Sequence, residues 1–306
     1  MPASLAPPVP TGSTGLSAHP TPLLLLEDRD PVLAANKRLV FDMWRGVVNA
    51  GHVELADRLL AEDYIQHSPV ISTGRAAFKR VFAAVERRDE IPEVVSPPLV
   101  TILAEGDLVV MALREELPAA GGKGTYANVH FNLFRVRDGR LAEHWHSVQA
   151  APGPQVPSPA DGGPQPVTGV EGTGQEALLG SADPALAANK RLVHAAWRAA
   201  VEQGLDAMAR RYLASGYLEH NANGGALPRA FMARPGDAPL DGPLVAMVAQ
   251  GDLVVLVQAL QLPHPVRPGQ TYTTTWFDMF RIENGRIVEH WDAAPMAGAP
   301  EPVYGN

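Results

Sequence analysis

The chain has 306 residues, a formal charge of −8 at pH 7, 46% hydrophobic residues and 19% charged residues. This balance suits a chain that folds around a core, and a net negative charge without a dense Lys/Arg block argues against a nucleic-acid partner. The absence of cysteine excludes disulfides, thiolate nucleophiles and cysteine-held metals. No apolar run approaches the roughly 18 residues of a membrane helix, so we expect no membrane partner.

The first 29 residues are rich in Pro, Ser, Thr and Gly. They include a run of four leucines at 23–26, but they lack the basic start and the long apolar stretch of a secretion signal. We interpret residues 1–29 as a flexible N-terminal arm and the protein as cytoplasmic.

Two nearly identical segments each predict the start of a helix. DPVLAANKRLVFDMWRGVV begins at Asp30, and DPALAANKRLVHAAWRAAV begins at Asp183. In each segment the Asp suits the N-cap and the following Pro suits the first helical position. The two copies align without a gap as far as His67 and His220, and more than half of the aligned positions are identical. A repeat of this length is too long for a solenoid and indicates two copies of a whole domain.

The remaining elements follow in the same order in both copies. In the first copy we predict helices at 53–60 and 75–88, then strands at 99–104, 107–113, 125–136 and 140–148. In the second copy we predict a helix at 205–213, then strands at 244–249, 252–260, 271–282 and 286–294. A Gly- and Pro-rich segment at 224–243 stands where the first copy has its third helix. Helices followed by strands indicate an α+β unit, with an antiparallel sheet packed on N-terminal helices.

These elements divide the chain into two domains, at 30–150 and 183–297. The segment between them, 151–182, is rich in Pro and Gly, which is typical of a linker. Residues 298–306 form a tail.

A row of polar side chains on the third predicted strand of the first copy suggests a binding cavity. Alternation along the strand places five residues on one face, and they are Tyr126, Asn128, His130, Asn132 and Phe134. A three-residue loop with Gly139 left-handed would set Asn132 opposite His144 and His130 opposite His146. A two-residue turn would instead send both histidines to the other face. We favour the first arrangement because it gathers the polar groups on one wall.

By the same register, the second copy groups a different set of side chains, which is Tyr272, Thr274, Trp276, Asp278, His290 and Asp292. Repulsion and burial should raise the pKa of one of its two aspartates. The second copy therefore offers two carboxylates and an imidazole where the first offers imidazoles and an amide.

The motifs of both copies resemble one family. YIQHSP, AEGDLVVM and FNLFRVRDGRLAEHWHSV in the first copy, and YLEHNA, AQGDLVVL and FDMFRIENGRIVEHWDAA in the second, are similar to the SnoaL-like polyketide cyclases of the NTF2-like superfamily, including its predicted aldol-condensation branch. The resemblance implies two cone-shaped α+β barrels in tandem, each with a deep apolar pocket. It also implies that the two cones pack together inside one chain, burying the outer sheet faces that carry Trp145 and Trp291, in place of the homodimer common in this superfamily.

The resemblance further implies roles for the polar residues. The Tyr-x-x-His histidines, His67 and His220, match candidate general bases. Asp278 matches an acid that stabilises an enolate, and Asp292 matches the usual aspartate of the last strand. In the first copy Asn132 and His146 replace these two, and with His130 they complete the candidate catalytic set. The expected substrate contacts are Tyr64, Tyr126, His144, Tyr217, Tyr272, Trp276 and His290.

The resulting hypothesis is a cofactor-independent lyase or isomerase of the aldol or retro-aldol type. It would use acid–base catalysis on a small hydrophobic, aromatic or polyketide-like carbonyl compound. The alternatives are a protein that only binds such a compound, an enzyme similar to epoxide hydrolases, and a chain in which one copy merely supports the other. Four histidines of the first copy, His67, His130, His144 and His146, could converge on zinc, but their spacing is not a recognised metal signature, and we expect no metal. Further association between chains is left open.

Overall fold

Two capped helices begin the two repeated units. The computed structural model describes residues 16–223 and 241–300. Helix α1 spans Pro31–Met43, and the side chain of Asp30 accepts the N–H of Val32 at 2.8 Å. Its counterpart in the second unit spans Pro184–Gln203, where Asp183 accepts the N–H of Ala185 at 2.8 Å. Both predicted N-caps are confirmed.

The helix at Pro184–Gln203 is α4. The other α-helices are shorter: α2 Ala56–Leu59, α3 Arg75–Phe82 and α5 Leu205–Tyr212. A π-helical turn, Trp44–Val48, follows α1. The third helix is shorter than the predicted 75–88. Most of the Gly- and Pro-rich segment predicted at 224–243 lies outside the described residues.

Each unit contains one five-stranded sheet. The first sheet consists of β1 Leu60–Gln66, β2 Leu99–Glu105, β3 Leu108–Pro118, β4 Thr125–Arg137 and β5 Arg140–His146. The second consists of β6 Leu213–Glu219, β7 Leu244–Gln250, β8 Leu253–Pro263, β9 Thr271–Glu283 and β10 Arg286–Asp292. The strand orders β1-β5-β4-β3-β2 and β6-β10-β9-β8-β7 correspond, so the fold is α+β with two NTF2-like units in tandem.

One strand of each sheet was not predicted, and it makes the sheets mixed. The Tyr-x-x-His segments form β1 and β6, which pair in parallel with β5 and β10. The expectation of a purely antiparallel sheet is therefore wrong. These strands follow directly on helices α2 and α5, and mixed polar and apolar residues hide their period of two.

The hairpins between β4 and β5 and between β9 and β10 differ from the predicted ones. Asp138 and Gly139 both have positive φ, as do Asn284 and Gly285, so each hairpin has a two-residue turn. A bulge near Arg135 then shifts the register by one more residue. The shorter turn and the bulge each move the pairing register by one residue, and a total shift of two residues returns each side chain to its original face. The histidines therefore stay on the polar face, as predicted, but the predicted residue pairs are wrong.

The observed pairs lie two residues from the predicted ones. Asn132 stands opposite His146, and Phe134 stands opposite His144. In the second sheet Asp278 stands directly opposite Asp292.

The outer faces of the two sheets share one hydrophobic core. Phe131 of the first sheet stacks on Phe277 of the second, with ring centroids 5.5 Å apart and planes 4° apart. Trp145 and Trp291 belong to the same core. Helix α1 closes the inner face of the first sheet over a separate core that includes Val40, and α4 does the same in the second unit.

The segments predicted as an arm and a linker take part in packing. Leu25 and Leu26 of the predicted arm are buried against the first unit, and Leu16 lies in the shared core. In the predicted linker, Val167 is buried and its N–H binds Thr273 Oγ1 at 2.8 Å. The arm and the linker are therefore ordered in the described part, from residue 16 onwards, and the boundaries 30–150 and 183–297 stand as a proposal.

Among residues 16–223 and 241–300, no helix combines the length and the apolar character needed to cross a membrane.

The shared core should be the main source of stability. Leu133→Ala removes a fully buried side chain between the sheets, so the free energy of unfolding should fall by about 2 to 5 kcal/mol. The matched control Leu24→Ala changes a side chain that is 47% exposed and should shift stability by less than about 1 kcal/mol. Urea titration gives both values, and equal losses would contradict the assignment of the core.

Candidate functional site

Four titratable side chains meet on the inner face of the second sheet, and we call them the second cluster: Glu219, Asp278, His290 and Asp292. Glu219 ends β6, Asp278 lies on β9, and His290 and Asp292 lie on β10. Because strand residues alternate between faces, these positions point to the same side of the sheet. Asp278, His290 and Asp292 are at most 1% exposed.

His290 is held between two carboxylates. Its Nδ1 lies 2.9 Å from Glu219 Oε1, and its Nε2 lies 3.0 Å from Asp278 Oδ1. Burial lowers the pKa of His290, but the charges and hydrogen bonds of Glu219 and Asp278 outweigh it and raise the pKa to about 10. His290 is therefore an imidazolium at neutral pH that donates from both nitrogens.

Asp292 is the carboxyl group most prone to carry a proton. Burial raises its pKa to about 6, with a further contribution from the charge of Asp278, while His290 lowers it. The amide nitrogen of Asn221 lies 2.9 Å and 2.7 Å from the two Asp292 carboxyl oxygens. A carboxyl group with this pKa can accept and return a proton near neutrality.

The remaining contacts orient the cluster. Trp276 Nε1 donates to Asp278 Oδ1 at 3.1 Å, and the Tyr217 hydroxyl donates to Glu219 Oε2 at 2.7 Å. Burial and the neighbouring Glu219 raise the pKa of Tyr217, so this hydroxyl keeps its proton. Asp278 and Glu219 are therefore each held by a second polar group in addition to His290.

The spacing of the second cluster alone would allow a cation, since donor atoms of Asp278, His290 and Asp292 lie within 4.8 Å of one another. However, His290 Nε2 is already bonded to Asp278, and Asn221 bonds both oxygens of Asp292. The second cluster is a hydrogen-bonded network.

The first unit places neutral groups in the equivalent positions, and we call Gln66, Asn132, His144 and His146 the first cluster. His144 Nδ1 lies 2.9 Å from Gln66 Oε1, and its Nε2 lies 3.1 Å from Asn132 Oδ1. Burial lowers the pKa of His144 to about 3, with help from the charges of His130 and His67. Burial also lowers the pKa of His146 well below its ordinary value. This cluster is uncharged at neutral pH.

His130 borders the first cluster. Its ring lies 5.7 Å from that of His146 and 6.4 Å from that of Trp44. Its Nδ1 lies 2.9 Å from Glu115 Oε1, in a largely buried contact.

The structure does not bring His67 and His220 to these clusters, although they were the predicted bases. His67 stacks on Trp145 with centroids 4.8 Å apart, and its Nε2 lies 2.8 Å from Glu143. His220 stacks on Trp291 at 4.8 Å. His67 directly follows Gln66 of β1, and His220 directly follows Glu219 of β6. Because successive strand residues alternate between faces, each histidine lies on the opposite side of the sheet from the cluster.

The predicted aromatic contacts divide between the clusters and the junction of the units. Tyr64 lies on the inner side, edge-on to Phe78. Tyr126 accepts the N–H of Met296, and Tyr272 donates to Gln149 O, so each hydroxyl binds a segment that follows the last strand of the other unit.

Three residues of these networks were not predicted: Gln66, Glu219 and Asn221. The missing signal was the strand character of the Tyr-x-x-His segments. With a period of two, Tyr217 and Glu219 share a face and His220 does not.

Comparison with known proteins identifies the family of the first unit. Residues 40–144 match the family model described as SnoaL-like domain. No curated protein matches the chain.

Solved structures resemble parts of the chain at low identity. A candidate SnoaL-like polyketide cyclase from Jannaschia sp. CCS1 is 19% identical over 39% of this chain and 89% of its own, with a TM-score of 0.29. TsrD from Streptomyces laurentii is 20% identical over 40% of this chain and 91% of its own, with a TM-score of 0.27. An NTF2-like protein of unknown function from Burkholderia pseudomallei K96243 is 17% identical over 34% and 88%, with a TM-score of 0.26.

The first unit is thus a SnoaL-like domain of the NTF2-like superfamily. The second unit repeats its strand order and its sequence motifs. The chain therefore contains two units of one fold, of which the first matches the SnoaL-like domain.

The raised pKa of Asp292 has a consequence for stability. Between about pH 4 and pH 6 the folded state holds a proton that the unfolded state has lost, so this group destabilises the fold as pH rises through that window. Asp292→Asn removes this titration. The free energy of unfolding of the variant minus that of the native protein should therefore increase from pH 4 to pH 7 by on the order of 3 kcal/mol. Urea titrations at each pH measure this difference. Asp138→Asn, at an exposed turn, is the control and should show no such trend.

The charge on His290 should depend on Glu219. In the native protein the ring should remain protonated at pH 8, because two carboxylates hold it. Glu219→Gln removes one of these charges, and the pKa of His290 should fall by at least about one unit. Nitrogen chemical shifts of the ring report the titration, and a neutral His290 at pH 7 in the native protein would contradict the assignment.

Proposed function

We propose that the second unit catalyses proton transfer at a carbon beside a carbonyl group, without a cofactor, in a lyase or isomerase reaction of the aldol or retro-aldol type. The observation that supports this most directly is the buried second cluster, in which the imidazolium of His290 lies beside a carboxyl group whose pKa is raised to about 6. His290 and Asp292 thus have pKa values above and below neutral pH, and such a pair suits acid–base catalysis at neutral pH.

Asp292 is the base in this proposal. Its carboxylate takes the proton from the carbon beside the carbonyl, which leaves an enolate. In the aldol sense the enolate carbon forms a bond to a second carbonyl carbon, and the proton on Asp292 goes to the alkoxide oxygen that results; the retro-aldol reaction is the reverse. Asn221 holds the carboxylate in position. The group acts as its own acid in the return step, and exchange of its proton with solvent in heavy water brings deuterium to the substrate carbon.

His290 supplies the balancing charge. Asp278 and Glu219 keep its proton in place, so a positive charge is already present when negative charge develops on the substrate oxygen. A preorganised charge of this kind stabilises an enolate without reorganisation of solvent. Glu219 and Asp278 are positioning residues, because they act through His290.

The substrate class follows from the surroundings of the cluster. Trp276 is buried beside Asp278, and Leu260 and Leu262 pack with it. Together with the SnoaL-like family of the first unit, this favours a small hydrophobic substrate, aromatic or polyketide-like, with one carbonyl group at the cluster.

The test is deuterium uptake. Aryl ketones and β-hydroxy ketones are incubated with the protein in heavy water, and proton NMR follows exchange beside the carbonyl and any fragmentation. Asp292→Asn should lower the initial rate at least about a hundredfold, because the base is lost. The rate of the native protein should rise with pH and level off above about 6, as Asp292 loses its proton.

The controls separate the base from its surroundings. Asp138→Asn makes the same chemical change at an exposed turn and should keep the native rate. His67→Ala and His220→Ala should also retain exchange, because both side chains face away from the cluster. Loss of exchange in His220→Ala with full exchange in Asp292→Asn would refute the assignment of the base.

A further inference from the structure

We propose that residues 11–15 of the chain bind to the end of β6 in the second unit, at residues 218–220. Residues 1–15 lie outside the described part of the chain, which begins at Leu16. Three features support this contact: an approximate twofold relation between the units, matching paths of the arm and the linker, and hydrogen-bonding groups at the end of β6 that lack partners among the described residues.

The two units are related by an approximate twofold axis at their junction. Ala104 N–H binds Gln250 Oε1 at 2.9 Å, and Ala249 N–H binds Glu105 Oε2 at 2.8 Å, so the same contact occurs in both directions. The stacked phenylalanines of the shared core also occupy equivalent positions on β4 and β9. A contact on one side of the junction is therefore expected at an equivalent place on the other side.

The linker covers the end of β1 in the first unit. Gln165 N–H donates to the backbone oxygen of Gln66 at 2.8 Å. The ring of His67, which follows β1, donates from Nδ1 to Gln165 O at 3.0 Å, because a carbonyl oxygen only accepts. The backbone of Gln165 thus both donates to the first unit and accepts from it.

The arm and the linker follow equivalent paths beyond this point. Leu16 of the arm and Val167 of the linker are both buried in the shared core. Three residues after each of them, a backbone N–H donates to the first residue of an edge strand: His19 to Leu99 O at 2.7 Å, and Val170 to Leu244 O at 2.9 Å. The equal spacing aligns the two segments, so Thr14 corresponds to Gln165.

The end of β6 lacks the partners that the linker supplies to β1. Among the described residues, no N–H outside the second sheet donates to the backbone oxygen of Glu219. Neither ring nitrogen of His220 makes a hydrogen bond with a described residue, and its buried Nε2 lies 3.8 Å from Glu289. Leu218 is 40% exposed, whereas Ile65, its counterpart on β1, is partly buried. Buried polar groups are almost always paired, so this strand end is suited to a further backbone segment.

Thr14 is within reach of this strand end. In the linker, Pro166 alone separates Gln165 at the end of β1 from the core residue that follows it. In the arm, Gly15 alone separates Thr14 from its own core residue. The distance that the linker covers on one side of the junction is therefore available to the arm on the other side.

In the proposed contact, Thr14 N–H donates to Glu219 O, and Thr14 O accepts from Nδ1 of His220. Prolines are frequent in the arm, but position 14 keeps the N–H that this contact requires. The contact holds the backbone of Glu219, whose side chain bonds to His290. The arm thereby supports the residue that positions His290, whether or not the second cluster is catalytic.

The test uses a nitroxide label on the full-length chain. The protein has no cysteine, so Thr11→Cys provides a single labelling position. In isotope-labelled protein, the nitroxide should broaden the amide signals of residues 218–220, and reduction of the label should restore them. Thr14→Pro, added to this variant, removes the donating N–H and should abolish the broadening. Ser13→Pro is the matched control and should preserve it, because the linker has Pro164 at the equivalent position.

Amide hydrogen exchange tests the same contact without a label. Thr14 N–H in the native chain should exchange at least about fivefold more slowly than in a peptide of residues 1–20, because a hydrogen-bonded amide exchanges only when its bond opens. Exchange at the peptide rate, or equal broadening in Thr14→Pro and Ser13→Pro, overturns the proposal. A mixture of nitroxide-labelled chains and isotope-labelled chains without cysteine distinguishes the source of the arm. Broadening of residues 218–220 in that mixture would assign the site to a second copy of the chain and would also overturn the proposal.

Discussion

The arrangement of both clusters depends on one constraint, the bulged hairpin that joins the last two strands of each unit. A two-residue left-handed turn by itself would direct the histidines of β5 to the outer face. The bulge adds one residue and returns them to the inner face. Asp278 consequently lies opposite Asp292, and the outer positions are left to Trp145 and Trp291.

The alternation of side chains between the inner and the outer face gives each sheet two different functions. The outer faces are apolar and bury each other, which joins the units without a second chain. The inner faces carry polar networks whose charge differs between the units. In the second unit carboxylates stabilise an imidazolium, whereas amides in the first leave His144 neutral. A few nearly isosteric changes therefore alter proton chemistry while the frame stays the same.

Residues beside each cluster also form hydrogen bonds with the opposite unit. Thr275 Oγ1 donates to the backbone oxygen of His146 at 2.8 Å, and Asn128 Nδ2 lies 3.4 Å from the oxygen of Ala293, next to Asp292. Ala104 N–H and Ala249 N–H are bound by side chains of the opposite unit at 2.9 Å and 2.8 Å. The ends of β5 and β10, which carry His146 and Asp292, therefore contact the opposite unit.

The repeat, the capped helices at Asp30 and Asp183, and the contrast between two aspartates in the second copy and Asn132 with His146 in the first could all be predicted from the sequence. These features depend on local spacing and residue type, which can be read along the chain. Three features required the folded chain: His67 and His220 lie on the outer side, Glu219 bonds to His290, and the arm and the linker pack against the units. These outcomes depend on a parallel strand and a bulge, whose hydrogen bonds join residues far apart in the chain.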